Sequence, residues 1–230
     1  MKKVVVLTGA GISAESGIRT FRDSDGLWEN HRIEDVATPE GWQRNPELVL
    51  EFYNQRRAQL FEVEPNAGHR ALADLEKDFE VDIVTQNVDD LHERAGNSRI
   101  LHLHGELRKS RSARYPDLVY PCEGDICLGD KCEKGFQLRP HIVWFGEAVP
   151  MLEPAAQLAA QADIFIIVGT SLQVYPAASL MIYANANIPF YYVDPRPQIN
   201  HELSRMPNLT VIAEPASTGV ARVVEMLRGR

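Results

Sequence analysis

The sequence predicts an α/β fold, a doubly wound parallel sheet carrying a small inserted module. Three observations point there. Apolar runs at Val4–Leu7, Val81–Thr85, Asp163–Val168, Ile188–Val193 and Leu209–Ile212 lack the two-residue alternation of a half-exposed strand, so they fit strands buried on both faces. Helical segments separate the runs, and strands alternating with helices make a parallel sheet. The first run ends directly in Gly9-Ala10-Gly11, the kind of strand-to-turn junction at which such sheets place ligands.

The bulk properties narrow the class. A chain of 230 residues can bury a substantial core as one large domain or one domain with an insert. A net charge of −8 argues against nucleic acid or an anionic membrane as a partner held by bulk charge. The first strand starts at residue 4, so no signal or transit peptide is expected before it, and no apolar run approaches the roughly 20 residues of a membrane span. Three cysteines, an odd number, do not suggest a disulfide framework, and a reducing cytoplasm is the expected compartment.

The elements follow in order. After Val4–Leu7, two glycines let the backbone turn sharply, and Ser13-Ala14-Glu15-Ser16 fits a helix start aimed back at the turn. Strand, glycine turn and helix N-terminus together suit a phosphate or pyrophosphate, though a tight turn with no ligand is the bland alternative. The polar stretch Gly17–Trp28 has no apolar run where a dehydrogenase would place its second strand; it fits a loop closing over a cofactor, with Phe21 to shield it and Arg22 to meet negative charge. A short helix is expected near Pro39–Arg44 and a longer one from Glu47 to Val63, with Leu48, Leu50, Phe52, Tyr53, Leu60 and Phe61 on its apolar stripe. Tyr53 and Arg56 are three residues apart and neighbours on that helix. They are either a core tyrosine beside a solvated charge or a phenol and guanidinium that together receive a carboxylate. Asn66 is the expected N-cap of the next helix.

Past Val81–Thr85, the polar residues Gln86, Asn87 and Asp89 fall where a ligand crevice forms, although Asp89 could equally cap the helix that begins near Leu91. Ile100–His104 predicts a short strand with His102 and His104 on one face. Either could be a buried, hydrogen-bonded histidine. His104, at the strand end before Gly105, is the better candidate base. Residues 106–138 turn polar and hold Cys122, Cys127 and Cys132, spaced C-x4-C-x4-C without the paired ligands of a zinc site. A strand returns near Leu138, a helix spans Ala155–Ala162, and Asp163–Val168 ends in Gly169-Thr170-Ser171, a small-residue turn that a ligand can approach. Tyr175 to Ala186 predicts a helix with proline near its start, and Ala216–Leu227 an amphipathic one.

Gly9-Ala10-Gly11-Ile12-Ser13, Gly17-Ile18-Arg19-Thr20-Phe21-Arg22, Gln86-Asn87-Val88-Asp89, His104-Gly105, Val143-Trp144-Phe145-Gly146-Glu147 and Gly169-Thr170-Ser171 occur in the order found in sirtuins. Over nearly its whole length the chain resembles that family of NAD-dependent protein-lysine deacylases. The resemblance implies a single catalytic domain. Its Rossmann-like part would be 1–30, 80–105 and 139–230, with a helical insert at about 31–79 and a small, zinc-module-like insert at about 106–138. It implies NAD, consumed rather than reduced, held by Gly9, Ala10, Gly11, Ile12, Phe21, Arg22, Trp28, Gln86, Asn87, Asp89, Gly169, Thr170, Ser171, Asp194 and Ala216. Asn87 and Asp89 would line the nicotinamide pocket. Asn87 and His104 would be catalytic, with His104 the general base to a ribose hydroxyl, and the products would be nicotinamide, free lysine and O-acyl-ADP-ribose. An acyl-lysine protein or peptide would lie extended, between Val143, Phe145, Gly146 and Glu147 on one side and Val174 and Tyr175 on the other, as an added strand. Tyr53 and Arg56 resemble the mark of the class III branch, which removes succinyl and malonyl as well as acetyl groups. A carboxylate brought into an apolar tunnel needs such a partner.

Three places depart from the family pattern. Where the first zinc CxxC pair would fall, this chain has Ser112 and Tyr115. Cys132 corresponds to the last ligand, so a metal-free module held by packing and turns is expected. Asp194-Pro195 stands where an asparagine often meets the adenosine ribose, and an aspartate can accept its hydroxyls. Arg19 replaces a usual proline in the cofactor loop. Two other readings remain beside the deacylase: a mono-ADP-ribosyltransferase sharing the NAD site, and a catalytically silent NAD- or acyl-peptide-binding module.

Overall fold

The computed structural model describes residues 1–19 and 30–229, and the backbone of 27–28. The chain begins with β1 (Lys3–Thr8), α1 (Ala10–Ala14), β2 (Leu27–Trp28), β3 (His31–Arg32) and α2 (Ile33–Val36). Three helices follow, α3 (Pro39–Arg44), α4 (Pro46–Gln59) and α5 (Ala67–Leu75). Next come β4 (Glu80–Thr85), α6 (Leu91–Ala95), β5 (Ile100–His102), β6 (Gly105–Ser112), β7 (Val119–Pro121) and β8 (Leu138–Ile142). The last third holds α7 (Leu152–Ala160), β9 (Ile164–Val168), β10 (Phe190–Val193), β11 (Leu209–Ile212) and α8 (Ala216–Leu227).

Six strands of the described residues form one parallel sheet in the order β11-β10-β9-β1-β4-β5. The chain builds outward from β1 to β5, returns to β9, and builds outward the other way. The switch point therefore lies between β1 and β9, where the loops leave a crevice beyond the strand ends. Alternate residues of the central strands serve opposite cores, as the pleat requires. Val5, Leu7, Phe165 and Ile167 face α7 and a 3₁₀ segment at Ala177–Tyr183; Val4, Val6, Ile164 and Ile166 face α5 and α8. Both faces are covered, which is why the runs show no polar alternation. A third core joins α2 and α4 to Leu107, Ile142 and Trp144, and so ties the helical segment to the small module.

Several expectations are corrected. The first helix starts at Ala10, not Ser13, because the turn closes at Gly9. α4 ends at Gln59 rather than Val63, as Leu60 and Phe61 donate to carbonyls three residues back, at Arg57 and Ala58. β5 stops at His102, so His104 lies beyond the strand. The segment 177–183 tightens into a 3₁₀ helix. The inserts also divide differently. Leu72 and Leu75 of α5 are buried on the main sheet beside α8, while β8 pairs antiparallel with β6 in a three-stranded sheet with β7.

Candidate active site

The two glycine turns at the switch point interlock. Gly9 N–H donates to Val168 O at 3.0 Å and Gly11 N–H to Gly169 O at 2.7 Å. A Cβ on Gly11 would stand 2.6 Å from Gly169 Cα, and Gly169 has φ +62°, so neither position accepts a side chain without a shift. Only glycines let β1 and β9 end this close together, and the floor of the crevice is consequently backbone.

Residues after β4 close one wall. The Asn87 amide donates to Gly9 O and to Ser13 Oγ, both at 3.1 Å. Ser13 Oγ donates to Asp89 Oδ2 at 2.9 Å, and Leu91 N–H donates to Asp89 Oδ1 at 3.2 Å. Asp89 thus serves α6 with one oxygen and the crevice network with the other. Burial pushes its carboxyl up to about 6, against the pull of the Leu91 and Ser13 hydrogen bonds. Gln86 Nε2 donates to Thr170 Oγ1 at 3.2 Å, bridging β4 to the turn after β9.

Two histidines complete this wall. His104 Nδ1 lies 3.1 Å from Gln86 O and His102 Nδ1 lies 3.2 Å from Asn87 O. A carbonyl only accepts, so each Nδ1 carries a proton. For His104 this leaves Nε2 as the basic nitrogen, and burial holds the ring below the ordinary histidine pKa, in the neutral form a base requires. His102 Nε2 instead meets Glu93 Oε1 at 2.7 Å. The two rings grip successive carbonyls of one segment and differ in their second partner.

Tyr53 and Glu147 meet at Trp144. Its indole N–H donates to Tyr53 Oη at 3.1 Å, and burial drives the Tyr53 phenol above its ordinary pKa, keeping it protonated. Arg56 lies over the Phe52 ring, 5.0 Å from the centroid. Glu147 turns inward. It pairs with Arg139 at 2.7 Å, meets Arg111 at 3.3 Å and accepts from Trp144 N–H at 2.9 Å. Arg139 stacks on Trp144. What Glu147 presents outward is therefore backbone, not charge. Val143 N–H donates to His104 O, Phe145, Val174 and Tyr175 are exposed, and Gly146 has φ +89°.

The remaining candidates are scattered along the crevice or beside it. Ser171 is half-buried after Thr170; Asp194 is buried with Oδ1 accepting from Arg196 N–H; Ala216 is buried in the first turn of α8, where it packs against Gly68. Ala10 and Ile12 lie in α1. Phe21 and Arg22 lie outside the described residues, as does the side chain of Trp28, whose backbone pairs with His31. Ser13, Glu93 and Trp144 were not singled out from sequence. Ser13, inside the glycine motif, and Trp144, inside the 143–147 motif, carried a signal that could have found them; Glu93 carried none.

The cysteine module offers no fit for zinc. Cys132 Sγ donates to Ser112 Oγ at 3.3 Å and Cys122 Sγ to Gly124 O at 3.4 Å; among the described residues no three His, Cys, Asp or Glu side chains gather as metal ligands. All three thiols are free, and the loop is held instead by Asn54 and Arg57 of α4.

A parallel sheet whose switch point holds interlocked glycine turns, a neutral histidine and a buried carboxylate has the architecture of a nucleotide-binding α/β fold. Residues 9–176 match the Sir2 family model. An NAD-dependent protein deacylase of Helicobacter pylori (strain ATCC 700392 / 26695) is 63% identical over 201 residues, covering 87% of this chain and 88% of that protein. One of Bacteroides thetaiotaomicron is 54% identical over 233 residues, covering 99% and 98%. A Sir2 homologue–NAD complex superimposes with a TM-score of 0.87 at 38% identity, covering 99% of this chain and 90% of that one. A Sir2 homologue mutant with ADP-ribose gives 0.88 at 37%, covering 99% and 92%. The chain belongs to the Sir2 family.

Proposed function

We propose that this NAD-dependent protein deacylase removes acidic acyl groups, succinyl and malonyl, as well as acetyl groups from protein lysines. The observation that carries the acidic preference is on α4, where Tyr53 is buried with its hydroxyl held by Trp144 and Arg56 stands one turn further on. A guanidinium can receive a carboxylate bidentately and a phenol can donate a further hydrogen bond, whereas an acetyl group meets neither.

The site residues divide by role in this reading. NAD, when bound, supplies an electrophilic ribose carbon and a nicotinamide leaving group. Gly9, Ala10, Gly11, Ile12, Gly169, Thr170 and Ser171 cradle the dinucleotide, Asp194 and Ala216 lie on its adenosine side, and Asn87 and Asp89 face the nicotinamide side. Phe21, Arg22 and Trp28 cover it. His104 takes a proton on Nε2 from a hydroxyl brought to it. The backbone of 143–147 and 173–175 receives an extended peptide. Free thiols are in keeping with a reducing, cytoplasmic setting.

The test is kcat/KM on matched acetyl- and succinyl-lysine peptides for the wild type and Arg56→Met. Succinyl turnover is expected to fall by about 100-fold or more, with acetyl turnover nearly unchanged, because a buried carboxylate would lose its charged partner. Equal effects on both peptides would leave the deacylase without an acidic preference.

A further inference from the structure

We propose that the ion pair between His102 and Glu93 is a positioning device for NAD cleavage, fixing the Asn87 carbonyl and supplying the positive charge that faces Asp89. The inference rests on the reading of Asn87 and Asp89 as nicotinamide-side groups, and it assigns functions to two residues that do not touch the reacting atoms.

The geometry determines the charge. Both ring nitrogens of His102 meet oxygens, a carbonyl at 3.2 Å and a carboxylate at 2.7 Å. A ring that donates at both ends is an imidazolium. The His102 side chain is only 7% exposed, and burial alone would drive its proton off; the Glu93 hydrogen bond and charge more than offset this and hold the ring above the ordinary histidine range. Glu93 is correspondingly held below the ordinary carboxylate range, against its own burial. The cation lies at the end of β5, against the 86–89 segment, and its charge favours ionised Asp89. Asp90 opposes it there, Glu106 on β6 adds a favourable charge to His102, and the His102 charge helps keep the buried His92 on α6 neutral. Asp90 and Glu106 are present in every variant below.

The structure also explains why the segment needs a second anchor. Asn87 is tied on its amide side to Gly9 and Ser13, and Asp89 to Ser13 and Leu91. On the carbonyl side, the partners of Gln86 and Asn87 are the two histidine rings. His104 must stay neutral to act as a base. The fixed charge on that side comes from His102, and Glu93 keeps it there.

Two measurements on Glu93→Gln test this. The first is a ¹³C-histidine NMR titration of the NAD-free protein, with His102→Gln identifying the resonance. His102 is expected to titrate at least about one pH unit lower in the variant, since a lost ion pair removes roughly that much stabilisation. The second is kcat/KM for NAD against pH. As His102 loses its proton, Asp89 protonates more readily on acidification, so the acid limb moves to higher pH and activity near pH 6.5 falls about 10-fold. Glu93→Asp, which keeps the charge, is expected to recover most of both. An unmoved histidine titration, superimposable rate profiles, or a loss uniform in pH and matched by a lower melting temperature would each overturn the proposal. Asp89→Asn separates the layers. If it erases the acid limb while Glu93→Gln does not shift it, the positioning role fails alone. If it changes neither the limb nor nicotinamide inhibition, the nicotinamide-side reading fails and the positioning role with it.

Discussion

His102 and His104 stand on either side of Leu103, yet one ring is a cation and the other neutral, and the difference is a single acceptor. His104 donates a hydrogen bond from Nδ1 to Gln86 O and leaves Nε2 unprotonated; His102 donates from both nitrogens, to Asn87 O and to Glu93. His104→Ala is expected to lower kcat by about 10²–10⁴-fold, the usual weight of general base catalysis, with NAD binding by calorimetry and the melting temperature little changed. Retained turnover would place the base elsewhere. The sequence pointed to His104 through its place before Gly105, whose φ of +86° the chain needs for the turn into β6, although the strand itself ends two residues earlier at His102. Glu93 was not legible. On a short helix it reads as a surface charge, and only the approach of β5 to α6 reveals its partner.

α4 shows how one element serves two ends. Tyr53 and Arg56 occupy one stripe; Asn54 and Arg57, each one position on, occupy the next. Arg57 is buried and donates to Leu107 O at 2.7 Å and Gly124 O at 3.2 Å, while Asn54 exchanges two hydrogen bonds with the backbone of Ile126. That second stripe clasps the cysteine loop. Arg57→Met is expected to destabilise by about 1–3 kcal/mol, the cost of leaving the buried Leu107 carbonyl without its donor, and a chelator is expected to leave the melting temperature of the wild type unchanged. A chelator-induced drop would show a metal in the module after all. The helix was legible from its apolar stripe, but its C-terminal bound was not, because α and 3₁₀ closure use the same residues. β11 and α8 fall on their expected bounds, since a short apolar run and a clear 3.6-residue pattern are set locally. The 177–183 segment is alanine-rich and follows a proline, and such a pattern does not distinguish the two helix types.

Across the molecule, buried titratable groups set a pH response. His69 and His92 stack edge to face in the second core, and burial above all lowers them to about 4 and about 3. Folded, they resist protonation; unfolded, they accept a proton near 6.5. Their contribution is therefore fully present above about pH 6.5 and is lost as pH falls toward 4 and below. Asp89, raised to about 6, acts oppositely between about pH 4 and 6. His69 Nδ1 accepts from Asn66 N–H in a capping box, a place glutamine fills equally well. His69→Gln should thus flatten the acid side of the stability curve by an amount on the order of 3 kcal/mol between pH 7 and 4, read from urea unfolding at each pH. An unchanged slope would exclude His69 as a source of acid sensitivity. Sequence patterning found the sheet because continuous apolar runs reflect two covered faces; it could not find this histidine pair, whose partners come from different helices.

The hydrogen bond from Gly11 to the Gly169 carbonyl joins the ends of neighbouring strands that lie far apart in the sequence. During synthesis the first glycine turn emerges early, but the half that completes it is made only after β9, when most of the chain has been translated. The crevice floor therefore has no partial form. A truncated or stalled chain ending before β9 carries β1, His104 and the whole cysteine loop, and it still lacks half of the crevice floor.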